Sequence, residues 1–386
     1  MDDVIRAGEI DVATPAVLTE LGRYRARGCV SIFLPTHTAG SETSQDPIRL
    51  ANLLRSAKRV LVEEHGRSRR EAGELLLPAT RLLDDHAFWR YQSDGLAVYV
   101  APRWLRTLRV PIPLTEEVFV GLAFRLRPLL GLVAGDGLFY VLALSQNEVR
   151  LFEGTRYTLV ELPLGPIPAS MAEALAHEDR EAHLQVRSGG QAGMFHGHGV
   201  GDEVDKQALE RFFRAVDRGL SSRVGSDRHP LVLAAVSYYL PIYRSVATYQ
   251  PIPGECIAGN PEGVPGRDLH LRGWEIVAPV FASVRRSAEE RLDQAIATGR
   301  AAVGTAEVVT AAISGRISTL FLAGDDPCWG RSNGIRPVEI HEIRQPDDED
   351  LLDLAACAVL GAGGIVFTDA ADVVPRRASA AAHLRW

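Results

Sequence analysis

The residues best suited to chemistry lie in one glycine-spaced stretch, R-S-G-G-Q-A-G-M-F-H-G-H-G-V-G, from Arg187 to Gly201. Its six glycines let the backbone take φ > 0 at many points, so the stretch reads as an exposed loop carrying polar side chains toward a partner. Gly189 and Gly190 remove Cβ atoms beside Gln191, whose neutral amide can hydrogen-bond but is no base. His196 and His198 are two residues apart and share one side of an extended segment, where they suit phosphate contact or acid and base work. Two neutral histidines are too few for a metal. Asp202 and Glu203 could add oxygen ligands, but no H-E-x-x-H or comparable spacing exists, and no metal is expected. Gly361, Gly363 and Gly364 lack the spacing of a nucleotide loop and read as a helix stop, so no cofactor is expected either.

The elements that must position this loop follow from periodicity. A hairpin is expected from Phe139–Leu144 and Glu148–Glu153, with a third strand near Thr158–Leu162. After the loop, a helix from about Glu203 to Leu220 gathers Leu209, Phe212, Phe213, Val216 and Leu220 on one face. The apolar run Pro230–Val236 reads as a strand buried on both faces. The four tyrosines that follow, Tyr238, Tyr239, Tyr243 and Tyr249, read as packing residues, with stacking on RNA bases as the alternative.

Upstream, Thr14 and Pro15 open a helix expected to reach Arg27, followed by a strand from Cys29 to Leu34. His37 reads as a turn residue. A long helix then places Leu50, Leu53, Leu54, Ala57, Val60 and Leu61 on one face and Arg55, Lys58 and Arg59 away from it. Downstream, a helix from near Ser287 to Ala301, another at Ala306–Ile313, a strand at Thr319–Ala323, a helix at Leu351–Leu360 and a short strand at Ile365–Phe367 describe an α/β/α sandwich. The expected domains are 1–134 (α/β), 135–285 (mixed-sheet α/β, with the loop) and 286–386 (α/β/α sandwich).

The bulk properties narrow the function. At 386 residues the chain exceeds one ordinary core. A 46% hydrophobic and 24% charged composition is that of a folded protein. No apolar run is long enough for a membrane span and the first residues are acidic, so the expectation is a cytoplasmic protein without a membrane partner. Cys29, Cys256, Cys328 and Cys357 are widely spaced and read as reduced thiols. A net charge of −7 argues against nonspecific nucleic-acid binding, and DNA is not an expected partner. Local patches remain: basic residues from Arg49 to Arg70, and the acidic run Asp347–Asp350, either of which also reads as a solvated face.

Three stretches carry a resemblance. S-I-F-L-P-T-H-T-A-G (31–40) with Q-D-P-I-R-L-A-N-L-L-R (45–55), Y-V-L-A-L-S-Q-N-E-V-R-L-F-E-G-T (140–155), and M-F-H-G-H-G (194–199) with L-E-R-F-F-R-A-V-D-R (209–218) resemble the bacterial homologues of archaeo-eukaryotic peptide release factors, family 3 in type. The resemblance implies an N-terminal α/β domain, an RNase H-like central domain and a C-terminal domain similar to kink-turn-binding ribosomal proteins. It also implies a ribosomal partner, with peptidyl-tRNA and rRNA as contacts.

In that superfamily a Gly-Gly-Gln loop enters the peptidyl-transferase centre, and Gly189, Gly190 and Gln191 stand at the corresponding place. Ester hydrolysis there needs an aligned water and a donor to the oxyanion, for which the N–H of Gln191 is suited. Arg187, His196, His198, Arg55, Lys58 and Arg59 are the candidate RNA and tRNA contacts.

Two departures from the pattern matter. Ala192-Gly193-Met194-Phe195 replaces the basic stretch that usually follows the triad, and no Asn-Ile-Lys-Ser type motif is present for codon reading. The expected function is therefore codon-independent peptidyl-tRNA hydrolysis or rescue of stalled ribosomes. The alternatives are a noncatalytic ribosome-binding stress factor and, third, an RNA nuclease, for which the expected strands offer only Glu148, Glu153 and Glu161.

Overall fold

The computed structural model describes residues 13–133, 137–176, 201–225, 229–324, 326–332, 337–345, 347–368, 370–375 and 378–386. Thr14 caps helix α1 (Pro15–Arg23), its hydroxyl accepting from the N–H of Val17 at 3.2 Å. The helix stops four residues short of Arg27, and β1 (Arg25–Pro35) starts at once. Pairing with a neighbouring strand outweighs local helix propensity here. Arg25 pairs with Ala123, a bulge between Arg25 and Cys29 accommodates Gly28 at φ +89°, and the Tyr24 ring stacks on Trp104 and Phe124.

Helix α2 (Asp46–Glu63) buries Leu50, Leu53, Leu54, Ala57 and Leu61, as the spacing predicts. Helix α3 (Arg69–Thr80) opens with a capping box between Ser68 and Glu71, and α4 (His86–Arg90) is capped by Asp85. Strands β2 (Gly95–Ala101), β3 (Trp104–Val110) and β4 (Glu117–Ala123) complete an antiparallel sheet in the order β3-β2-β1-β4, followed by α5 (Arg127–Val133). Because side chains alternate along a strand, Val30, Ile32 and Leu34 of β1 pack with α2 and α3, while Cys29 and Phe33 enter a second core.

Strands β5 (Phe139–Leu144), β6 (Val149–Gly154) and β7 (Leu159–Leu162) form the expected hairpin and its extension. Helix α6 (Gly201–Val224) follows, then β8 (Leu231–Ala235), α7 (Tyr239–Val246) and β9 (Ile257–Ala258). The sheet is mixed and five-stranded, in the order β7-β6-β5-β8-β9, with β5, β8 and β9 parallel. One face packs against Leu209, Phe212, Phe213, Val216 and Leu220 of α6. The other packs against Leu269, Val277 and Phe281 of α8 (Gly266–Ala297).

The helix expected from Ser287 is the last part of α8, which starts some twenty residues earlier. Then come β10 (Ala301–Val303), α9 (Thr305–Ile313), β11 (Ile317–Leu322), β12 (Trp329–Arg331), β13 (Glu339–Ile340), β14 (Glu349–Asp350), α10 (Leu351–Gly361), β15 (Ile365–Phe367) and β16 (Ala380–Leu384). They build a four-stranded sheet, β10-β16-β11-β15, and a small one, β13-β12-β14.

The whole is mixed α/β with several sheets. The described residues of 1–135 and 284–386 form one compact unit, and those of 136–283 a second, the division falling inside α8. The first unit owes its unity to a shared core, in which Leu18, Tyr99, Leu129 and Leu130 join Val308, Ala311, Leu351 and Ala355. Among the described residues, no helix is long and apolar enough to cross a membrane.

Candidate nucleic-acid interface

Arg187, Gly189, Gly190, Gln191, His196 and His198 lie outside the described residues. What is described is the base from which their stretch departs. Helix α6 begins directly after it and is fixed about two turns before its end by Asp217, a carboxylate only 2% exposed. Asp217 accepts from the N–H and hydroxyl of Thr248 at 2.8 and 2.5 Å and from the N–H of Tyr249 at 3.2 Å. Gly219 shows how closely α6 is seated: a Cβ there would lie 2.7 Å from both the Ile167 Cα and the Pro166 carbonyl oxygen. Of the four tyrosines, Tyr239, Tyr243 and Tyr249 are buried as packing residues, and Tyr238 is exposed.

The remaining candidates, Arg55, Lys58 and Arg59, are brought together on α2. Their spacing of three and four puts them on one exposed helical face opposite the leucines. Arg55 donates to the Asn52 side chain at 2.7 Å, and among the described residues none of the three is in an ion pair. Their charge is therefore available to an anionic partner.

The sequence did not single out the cleft beyond the end of α2. It has a volume of about 410 Å³ and its lining includes Arg27, His65, Arg67, Glu71 and Asp347. Burial, and then the neighbouring Arg344, push the His65 pKa down and favour its neutral form. Nothing in the spacing of these residues announces a site, because sheet pairing and loop closure bring them together.

His37 is held more firmly than a turn residue needs. Asp46, 1% exposed, accepts from its N–H and contacts its Nδ1, both at 2.9 Å, and also accepts from Arg49 at 3.1 Å. Of the acidic run at 347–350, Asp347 is exposed, but Asp348 and Asp350 are buried. Asp348 is fully buried and takes Arg331, His341 and the N–H of Gln345, while Asp350 takes Arg125 and the N–H groups of Cys328 and Leu352. Buried carboxylates need such partners, and here the chain supplies them from several elements.

The register also bears on the nuclease reading. Glu161 lies opposite Phe152, so it shares a sheet face with Phe152, and Glu153 points to the other face. These two carboxylates do not converge on one metal.

Comparison with known families finds a match over the middle of the chain. Residues 138–316 match the family model of bacterial archaeo-eukaryotic release factor family 3. The resemblance carried by the motifs at 140–155 and 194–218 therefore holds over this stretch, which contains the Gly-Gly-Gln triad. The N-terminal motifs lie outside it. No protein of curated function matches the chain.

Several solved structures align along its length. An archaeal translation termination factor, aRF1, is 16% identical over 97% of this chain and 99% of its own, with a TM-score of 0.24. Archaeoglobus fulgidus Pelota is 14% identical over 97% and 93%, with a TM-score of 0.28. Archaeal Pelota, from a model of its ribosome-bound form with ABCE1, is 11% identical over 98% and 95%, with a TM-score of 0.37.

Proposed function

We propose that this protein is a ribosome-associated, release-factor-like protein that acts without codon choice, hydrolysing peptidyl-tRNA through the loop containing Gly189, Gly190 and Gln191. The observation that carries the reading is the coincidence of motif and place. The triad falls within the stretch matching a release factor family, after β7 and before the helix that Asp217 anchors. In this reading Gln191 aligns the water and its N–H faces the oxyanion, while Arg187, His196 and His198 contact RNA. The middle segment, 135–285, acts as an RNase H-like domain. Residues 1–134 and 286–386 act as an α/β domain and a domain similar to kink-turn-binding ribosomal proteins.

The deciding experiment measures release of a labelled peptide from purified ribosome–nascent-chain complexes. Wild-type protein is expected to release peptide, and Gln191→Ala to lose release while still sedimenting with ribosomes. Absence of release by the wild type refutes the catalytic reading. A second reading, a noncatalytic factor that occupies the ribosome under stress, is favoured by the exposed basic face at Arg55, Lys58 and Arg59. It expects Gln191→Ala to change nothing and charge reversal on α2 to weaken binding.

A further inference from the structure

The three parallel strands of the middle sheet, β5, β8 and β9, end side by side, and the turns that follow them enclose a cleft of about 270 Å³. β5 is the strand from which the chain turns to β6 on one side and has β8 on the other. In open α/β sheets, this crevice beyond the carboxyl ends of the strands is where ligands bind. Leu144, Val236 and Pro261 give its wall an apolar part, and its polar groups come from three turns: Ser145, Gln146 and Asn147 after β5, Tyr238 and Tyr239 after β8, and Glu262 after β9.

Two features give the cleft a chemical preference. The first is the Glu262 carboxylate, which accepts from the Asn147 side-chain amide at 3.1 Å. Hydrogen bonding from Ser145 and Asn147 pushes its pKa down, so it is charged at neutral pH. Among the described residues no lysine or arginine pairs with Glu262, and the wall contains no cation. The second is the Tyr238 ring, 57% exposed where the other three tyrosines of the run are buried. Tyr239 holds it edge to face at 4.7 Å, leaving ring surface open. A carboxylate and an open aromatic face on one wall suit a planar cation, and Arg150, which donates to the Pro261 carbonyl of that wall, is already paired with Glu148.

We propose that this cleft binds the guanidinium group of an arginine from a protein partner, with Glu262 accepting its paired N–H donors and Tyr238 stacking on its plane. A guanidinium matches both features at once, whereas an ammonium satisfies the charge but has no plane to stack. The inference is independent of the proposed peptidyl-tRNA chemistry, because it uses neither the Gly-Gly-Gln loop nor α2.

The test titrates the full-length protein with N-acetyl-arginine methylamide, its lysine counterpart and guanosine monophosphate, followed by NMR. The arginine probe is expected to bind at least about tenfold tighter than the lysine probe. Glu262→Gln keeps the side-chain shape and removes the charge, and is expected to weaken arginine binding about tenfold or more. Tyr238→Leu is expected to weaken it about two- to fivefold. Both side chains are exposed, so unchanged thermal unfolding serves as the folding control. Equal arginine and lysine binding, preference for the nucleotide, an unaffected Glu262→Gln, or no binding overturns the proposal.

Discussion

The carboxylate of Asp353 on α10 accepts a hydrogen bond from the main-chain N–H of Leu126 at 2.8 Å, tying positions 227 residues apart. Among the described residues its other oxygen, Oδ1, is buried with no hydrogen-bond partner, and Asp350 lies close enough to disfavour a second negative charge. Burial first, and then Asp350, push the Asp353 pKa up to about 7.

The raised value sets a pH dependence. Above about pH 4 the unfolded chain releases the proton that the folded chain still holds, so this group's contribution is full below pH 4 and is lost as pH rises toward 7. Asp353→Asn keeps an acceptor for Leu126 and removes the titration. Relative to wild type, its unfolding free energy is expected to climb between pH 4 and 7, by on the order of 1 to 4 kcal/mol, and then level off. Urea unfolding across that range checks it, and parallel curves for the two proteins would refute the assignment.

Gly22 on α1 faces Cys357 on α10, and a Cβ there would lie 2.4 Å from the cysteine sulfur and 2.7 Å from its Cβ. A glycine-to-alanine change inside a helix normally stabilises by roughly 1 kcal/mol, so the sign of the effect reports on the contact. Gly22→Ala is expected to destabilise by about 1 to 3 kcal/mol through overpacking. In a Cys357→Gly background the obstructing atoms are gone, and the same change is expected to be neutral or stabilising. A double-mutant cycle by chemical unfolding measures the coupling, and additive effects would show that the helices do not meet there.

The elements legible in the sequence are those where local pattern and tertiary demand agree. The Thr14 cap, the leucine face of α2, the hairpin at 139–154 and the apolar face of α6 all show on a period of 2 or 3.6. The start of α8 and the strands β3, β10 and β16 were not read. Alanine-rich β16, Ala380–Leu384, has weak strand propensity and is defined by its neighbours β10 and β11. The basic face of α2 was visible from spacing alone. The cleft beyond the ends of β5, β8 and β9 was not, because Ser145, Tyr238 and Glu262 meet only through parallel pairing of strands distant in sequence.

Burial separates the four free thiols. It pushes the Cys29 pKa up to about 11 and the Cys357 pKa up further, so neither supplies thiolate near neutral pH or meets reagent in the folded chain. Native alkylation at pH 8 followed by peptide mapping is expected to modify Cys256 first and to spare Cys29 and Cys357 until denaturant is added. Early labelling of Cys357 would show that α1 does not cover α10.

Arg55, Lys58 and Arg59 bury nothing and share one exposed face, so reversing all three to glutamate is expected to leave the unfolding midpoint within about 2 °C of wild type. Affinity for ribosomes is a different matter. Each cation that neutralises a phosphate releases counterions and contributes roughly 0.7 to 0.9 to the slope of log affinity against log salt. If all three touch rRNA, the triple reversal is expected to lower that slope by about 2 to 3 and to weaken binding most at low salt. Cosedimentation at several potassium chloride concentrations reads both quantities. A weakened affinity with an unchanged slope would mean that these side chains act on a protein surface, and an unchanged affinity would remove α2 from the interface.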